Sequence, residues 1–347
     1  MGLKREILTT SERRIFPRGR GRHGARLVLA LALALAWQVP AAEAFAAPAK
    51  PQPVIIDTDI GDDVDDAFAL ALALSDPHLK VIGVTTAWGD TGGRVLLVRR
   101  LLATLGRTDV TVAQGPATAD TTPFTQKRWA EGAADRSPAP DAVDFIRAEA
   151  HAHPGEITLL ALAPLSNVQA LIQRDPRAVR ELKAVVLMGG SIGAGYQIGG
   201  AIPDPHPSAE YNIASAPQAF AALLASGAPV KLFPLDSTQL KFDEVRRDRL
   251  FAYGSPASDA LALLYHQWRL LNAWGQVTPT LFDVIPVVWL IDPSACPVQP
   301  LRVEVDDKGY TRPAQGAPNV EACLSLHEDA AQRLIIDDLA PETSGGR

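Results

Sequence analysis

The apolar positions of this chain fall into short unbroken runs separated by longer stretches rich in alanine and leucine. "PVIID" (53–57), "KVIGVTT" (80–86), "VTVAQ" (110–114), "ITLLALA" (157–163), "AVVLMGG" (184–190) and "PVKLFPL" (229–235) are β-branched and aliphatic without strict polar alternation. Runs of that kind read as strands covered on both faces. Between them, residues 65–75, 93–105, 141–152, 167–174, 215–226 and 256–273 read as helices. The interleaving predicts an α/β fold: a single domain with a mainly parallel, Rossmann-like open central sheet flanked by helices. No repeat and no Pro/Gly linker divides it into two cores. Residues 115–140 and 189–212 are longer than ordinary connections, and both follow strands. Long loops in that position tend to shape a ligand crevice, and these two mix glycines with aromatic and charged side chains.

The N-terminus follows a different pattern. Residues 1–26 hold eight Lys/Arg and two Glu, then "LVLALALALAW" (27–37) is apolar but too short to span a bilayer comfortably. Small residues follow at Ala42, Ala44 and Ala46. This is the layout of a secretory signal, so residues 1–46 are expected to be cleaved and residues 47–340 to form the folded domain, with 341–347 a flexible tail. Arg13 and Arg14 leave twin-arginine export open beside the general route. The protein is then secreted or periplasmic, with no membrane span after cleavage. Removing the leader's net +5 takes the formal charge from −6 to −11, which does not favour nucleic acid or an anionic membrane. The two cysteines, Cys296 and Cys323, either pair in an oxidising compartment or remain two buried thiols.

The chemistry concentrates in "VIIDTDIGDDVDDAFALALAL" (54–74), where six aspartates occupy ten positions after a buried run. Helix capping explains one or two of them, not six. A cation with several oxygen ligands explains the rest. An EF-hand does not fit, since Phe68 stands where its bidentate Glu belongs. A phosphate-cradling loop needs more glycine and a following Lys. A haloacid-dehalogenase-type Asp-x-Asp site needs Gly-Thr where Ile60-Gly61 stands.

The same segment resembles the N-terminal signature of the inosine–uridine-preferring nucleoside hydrolase family. The resemblance continues in order through "VIGVTTAWGD" (81–90), "ITLLALAPLSNVQAL" (157–171), "AVVLMGG" (184–190), "AEYNI" (209–213), "PLDST" (234–238) and "TLFDVIPVVWLIDPS" (280–294). It implies a nucleoside hydrolase-like fold and cleavage of the N-glycosidic bond of a small-molecule ribonucleoside, giving ribose and free base. It also implies a bound Ca2+ held by Asp59, Asp66, the carbonyl of Leu162 and Asp283, with Asp59 the general base. Asp65, Asp63, Asp90, Glu210 and Asn212 match ribose-binding positions, and a homodimer or homotetramer is implied.

Two residues more than the family's usual spacing precede Asp65-Asp66, so Asp63 competes for the place given to Asp65, and Asp62 is expected to cap the helix. Phe282 stands where several members have a His that assists the departing base. His266 and Tyr265, on the helix "LLYHQWRLLNAWGQ", and Trp88 are the candidates to replace it. His266 shares a face with Arg269, and Tyr265 a neighbouring one with Trp268. Two alternatives accompany this reading: an exported ribose- or nucleoside-binding receptor, and a family member with weak or lost turnover.

Overall fold

The computed structural model describes residues 50–197 and 204–342. The leader, and all but the first two residues of the proposed C-terminal tail, lie outside them. The described residues contain ten strands: β1 Gln52–Thr58, β2 Leu79–Thr86, β3 Thr111–Gln114, β4 Thr158–Ala161, β5 Ala184–Met188, β6 Val230–Phe233, β7 Val298–Leu301, β8 Val303–Val305, β9 Thr311–Pro313 and β10 Val320–Cys323. Eight of them form one sheet in the order β3-β2-β1-β4-β5-β6-β10-β7. All neighbours are parallel except β10 with β7 at the edge.

Successive side chains on a strand face opposite sides of the sheet. Val54 and Ile56 therefore join one core cluster with Leu160 and Val186, while Ile55 joins the other with Leu159, Val185 and Leu187. Two cores on one sheet explain why the strands read as continuous apolar runs. The first six strands and the longer helices between them fall where the sequence predicts, with ends differing by a few residues, while the short helices Lys127–Ala130, Pro176–Glu181 and Tyr211–Ser215 are additional. The run at 157–163 stops pairing early because Leu162 leaves the ladder. Its N–H still bonds the Asp57 carbonyl at 2.8 Å.

Strand order decides where a ligand can sit. From β1 the chain builds outward through β2 and β3, then returns to place β4 on the other side of β1. Loops leaving the carboxyl ends of β1 and β4 therefore diverge and open a crevice between them. The aspartate run begins at the end of β1 and continues into helix α1, Asp65–Ser75. That helix is buried along Asp65–Leu74, with contacts to the helices Val284–Ile291 and Glu328–Leu339. Its acidic first turn cannot reach bulk water by swinging outward.

Cys296 and Cys323 form a disulfide, joining the turn after helix Val284–Ile291 to β10. Among the described residues no helix is long and apolar enough to cross a membrane.

Candidate active site

Two helix N-termini bring the carboxylates together. Asp65 and Asp66 form the first turn of α1, and Asp283 immediately precedes helix Val284–Ile291. The Asp283 side chain makes no capping bond to its own helix, so its carboxylate is available to the site. One oxygen each from Asp65, Asp66 and Asp283 lies within 4.8 Å of the others, and all three residues are buried. Asp65 Oδ2 accepts the Asp283 N–H at 3.2 Å, and Asp66 Oδ1 accepts the Thr58 hydroxyl. Burial first, then mutual repulsion, pushes all three carboxyls well above the usual carboxylate range.

Asp59 borders this trio. Its carboxylate accepts no hydrogen bond from another described residue, and burial, then the charge on Asp66, pushes it up as well. Asp57 is set behind the site and serves the scaffold. Its Oδ1 takes hydrogen bonds from Thr85 and from Asn167, the latter at 2.6 Å, and burial holds its pKa at about 6.

The two residues in excess of the family spacing are accommodated sideways. Asp62 does not cap α1 as the sequence suggests; its Oδ2 lies 2.6 Å from Arg94 Nη2. Asp63 Oδ1 accepts the N–H of Val64 at 2.7 Å. Asp65 and Asp66, not Asp63, stand with Asp283.

On the β4 side, Asn212 Nδ2 donates to the carbonyls of Leu162 (2.7 Å) and Met188 (3.2 Å). Glu210 accepts from the N–H groups of Gly190 (2.8 Å), Asn212 (2.9 Å) and Ile213 (3.1 Å), and its burial raises the pKa to about 7. The pair is gathered by a helix start rather than by an extended segment: Glu210 is the N-cap of the helix Tyr211–Ser215. Asp90 caps helix α2, Thr91–Thr104, accepting from Gly93 N at 2.9 Å, and it lines a cleft of about 360 Å3 with Asp62, Arg94, Asp120, Thr122 and Phe124.

Both long loops reach this region. The first contributes Asp120, Thr122 and Phe124 to the cleft. The second contributes Tyr196, whose ring meets Phe282 edge-on at 6.1 Å and whose hydroxyl accepts the Tyr211 N–H at 3.0 Å. The Tyr211 hydroxyl lies 3.2 Å from Thr122 Oγ1 and donates to Asp120 at 3.3 Å. Burial, then nearby carboxylates, pushes both phenols above their ordinary pKa. Tyr196, Tyr211, Asp120 and Arg94 were not singled out from sequence. Only the mixture of aromatic and charged residues in the two loops pointed towards them.

Two leaving-group candidates fall elsewhere. His266 is exposed on the outer side of its helix, as is Arg269, and hydrogen-bonds to no described residue. Tyr265 is packed in the core beside Trp268, ring centroids 5.9 Å apart, and its hydroxyl is spent on the Val277 carbonyl at 2.8 Å. Trp88 lies next in sequence to Gly89 and Asp90 of the cleft, its carbonyl accepting from Arg94 Nε. It adopts φ 61°, unusual for a large side chain, and its buried indole N–H has no partner among the described residues.

Residues 54–333 match the model of the inosine-uridine preferring nucleoside hydrolase family. The chain belongs to that family. Among curated relatives it is 31% identical over 281 residues to the pyrimidine-specific ribonucleoside hydrolase RihA of Citrobacter koseri, covering 75% of this chain and 86% of that one. Among solved structures it superposes on the plant nucleoside hydrolase PpNRh1 with a TM-score of 0.73 and 25% identity, covering 84% of this chain and 99% of that one. The purine-preferring ribonucleoside hydrolase from Gardnerella vaginalis shares the fold at TM-score 0.69 and 22% identity, again over 84% and 99% of the two chains. The protein is therefore a hydrolase acting on N-glycosyl bonds, and the receptor alternative is set aside.

The family is metal-dependent, and the donor set suits a hard divalent cation. Three buried carboxylates converge, with Asp59 beside them. Oxygen-only sets of this kind bind Ca2+ or Mg2+ rather than softer metals. Without a cation, the repulsion among these groups is relieved only by taking up protons.

Proposed function

We propose that this chain is an exported, calcium-dependent ribonucleoside hydrolase that releases ribose and a free base. The observation that carries the reading is the convergence of Asp65, Asp66 and Asp283 within 4.8 Å, beside Asp59. Asp59, Asp66, Asp283 and the Leu162 carbonyl are the proposed Ca2+ ligands, with Asp65 close enough to share the role. Ca2+ is preferred to Mg2+ because the set mixes carboxylates with a carbonyl and leaves room for sugar hydroxyls, which a larger, more flexible coordination sphere admits. Bound there, the ion would supply Lewis-acid activation of a water and an anchor for a vicinal diol.

The chain's own residues do the rest. Asp59, whose carboxylate takes no hydrogen bond from another described residue, accepts the proton of the attacking water. Glu210 and Asn212, fixed by the bonds described above, orient the ribose, with Asp63 and Asp90 as further sugar-side candidates. As the C–N bond breaks, positive charge grows on the ribose, and the surrounding carboxylates stabilise it. Release of reducing sugar from a ribonucleoside panel, with and without a chelator, tests the reading. No release from any nucleoside in ample calcium would contradict it and would favour the weak-turnover alternative.

Departure of the base is the weak step. Phe282 has no proton to give, and it packs against Tyr196, whose raised pKa makes it a hydrogen-bond donor and not an acid. Trp88, half-buried, offers a face for stacking. Substrates with intrinsically good leaving groups, such as p-nitrophenyl riboside, are therefore expected to turn over at least ~10²-fold faster than natural nucleosides, the size of a missing general acid. Equal kcat values across such a series would reveal an efficient proton donor.

Export is supported by the leader's composition and by the Cys296–Cys323 disulfide, since such bonds persist in oxidising compartments. Intact mass of the protein recovered outside the cytoplasm is expected to place the new N-terminus near residue 47. A full-length chain in that fraction would refute cleavage.

A further inference from the structure

We infer that Arg94 is a positioning residue for the general base, holding Asp59 through the backbone rather than touching substrate. This rests on the hydrolase reading proposed above. Arg94 is only 2% exposed. Its Nη1 donates to the carbonyls of Asp59 and, at 3.0 Å, Ile60; its Nε donates to the carbonyl of Trp88 at 2.8 Å; its Nη2 pairs with Asp62 at 2.6 Å. The Phe124 ring lies over the guanidinium at 5.4 Å, and Asp120 is 4.0 Å away.

The loop that Arg94 grips has almost no secondary structure to stabilise it, yet its buried carbonyls need donors. Arg94 satisfies those of Asp59 and Ile60. The first long loop satisfies the next three: Thr125 Oγ1 donates to Gly61 and Asp62 at 3.1 and 2.9 Å, and Gln126 Nε2 to Asp63 at 2.6 Å. Gly61, at φ 127°, makes room for Phe124, whose ring would stand 2.0 Å from any Cβ there. The lengthened aspartate loop is thus cast between two partners. Among the described residues only Arg94 reaches the carbonyl of Asp59 itself, and through Trp88 it ties the turn after β2 to the same point. A planar fork with five donors can do this; an ammonium at the end of a flexible stem cannot serve three carbonyls and a carboxylate at once.

The test is Arg94→Lys in the full mature protein. It retains the charge opposite Asp62 but loses the fork. Expected are a fall in kcat of ~10- to 100-fold, the size of a small displacement of a reacting group, and KM within about threefold of wild type. Calcium titration is expected to give the wild-type stoichiometry with affinity lowered only through Asp59, because Asp66 and Asp283 make no hydrogen bond to Arg94. Arg94→Ala provides a second arm: the emptied space borders the open cleft, so millimolar methylguanidinium is expected to restore at least part of kcat. A Lys variant with wild-type kcat, loss of calcium binding in it, or no response of the Ala variant to methylguanidinium would each overturn the inference. A wild-type protein that cleaves no nucleoside would instead defeat the hydrolase reading, leaving the variants unneeded.

Discussion

Asp59→Ala is expected to lower kcat by at least ~10²-fold on any ribonucleoside, the ordinary magnitude of a lost general base. Asp59 shares with Asp283 what sets it apart from the other aspartates of the cluster. Asp57 is held by Thr85 and Asn167, Asp62 by Arg94, and Asp66 by Thr58, whereas the Asp59 carboxylate takes no hydrogen bond from another described residue. A buried carboxylate left free beside three others is costly unless something arrives to use it. Asp59→Asn separates its two assigned roles. The amide oxygen can still approach a cation but cannot take a proton, so kcat should fall nearly as far as in the Ala variant while calcium affinity falls about tenfold or less. Near-normal turnover in Asp59→Asn would move the base to another carboxylate, with Asp65 the first to examine.

Metal removal is expected to reverse the protein's response to pH. Burial raises the folded-state pKa of Asp57, Asp62 and Asp63 to about 6 and of Glu210 to about 7, and it raises Asp59, Asp65, Asp66 and Asp283 as well. A carboxyl with a raised folded pKa binds more protons folded than unfolded, so its contribution is present below about pH 4 and is lost as pH rises through the folded value. Chelated protein should therefore become less heat-stable between about pH 4 and 7. With calcium, protons compete with the ion, so stabilisation by the ion grows over the same range. At pH 7.5 and free calcium ~1,000 times Kd, stabilisation of ~4 kcal/mol corresponds to a Tm rise of roughly 6 °C for a chain of this size. Thermal scans at several pH values, with chelator and with calcium, read both slopes. A chelated protein whose Tm climbs steadily from pH 5 to 8 would contradict the linkage.

What the sequence reveals is whatever depends on local pattern. Continuous apolar runs mark β1 to β6 because both faces of the sheet are covered, and the aspartate run marks the site because no soluble core gathers six carboxylates without cause. Partners fixed by tertiary contact are less legible. Arg94 sits in a helix beginning "TGGRVLLVRR", where nothing distinguishes it from Arg99 or Arg100, and its role appears only when β2 lies beside β1. Tyr196 and Tyr211 come from a loop whose path no periodicity records. The reading of Tyr265 and His266 shows the converse. Their helical faces are as the spacing implies, yet one face is core and the other solvent, and spacing alone does not say which face meets a ligand. The edge strand β7, the β8–β9 ribbon and β10 are three or four residues each, too short for an alternation to show.

The most direct measurement is a calorimetric titration of metal-stripped mature protein with calcium chloride near neutral pH, repeated on Asp66→Asn and Asp283→Asn. The result expected is one ion per chain for the wild type and loss of that binding in both variants. Absence of heat in the wild type, in folded protein, would contradict the assignment, as would unchanged binding after either substitution, because the acidic cluster would then have some other reason to exist.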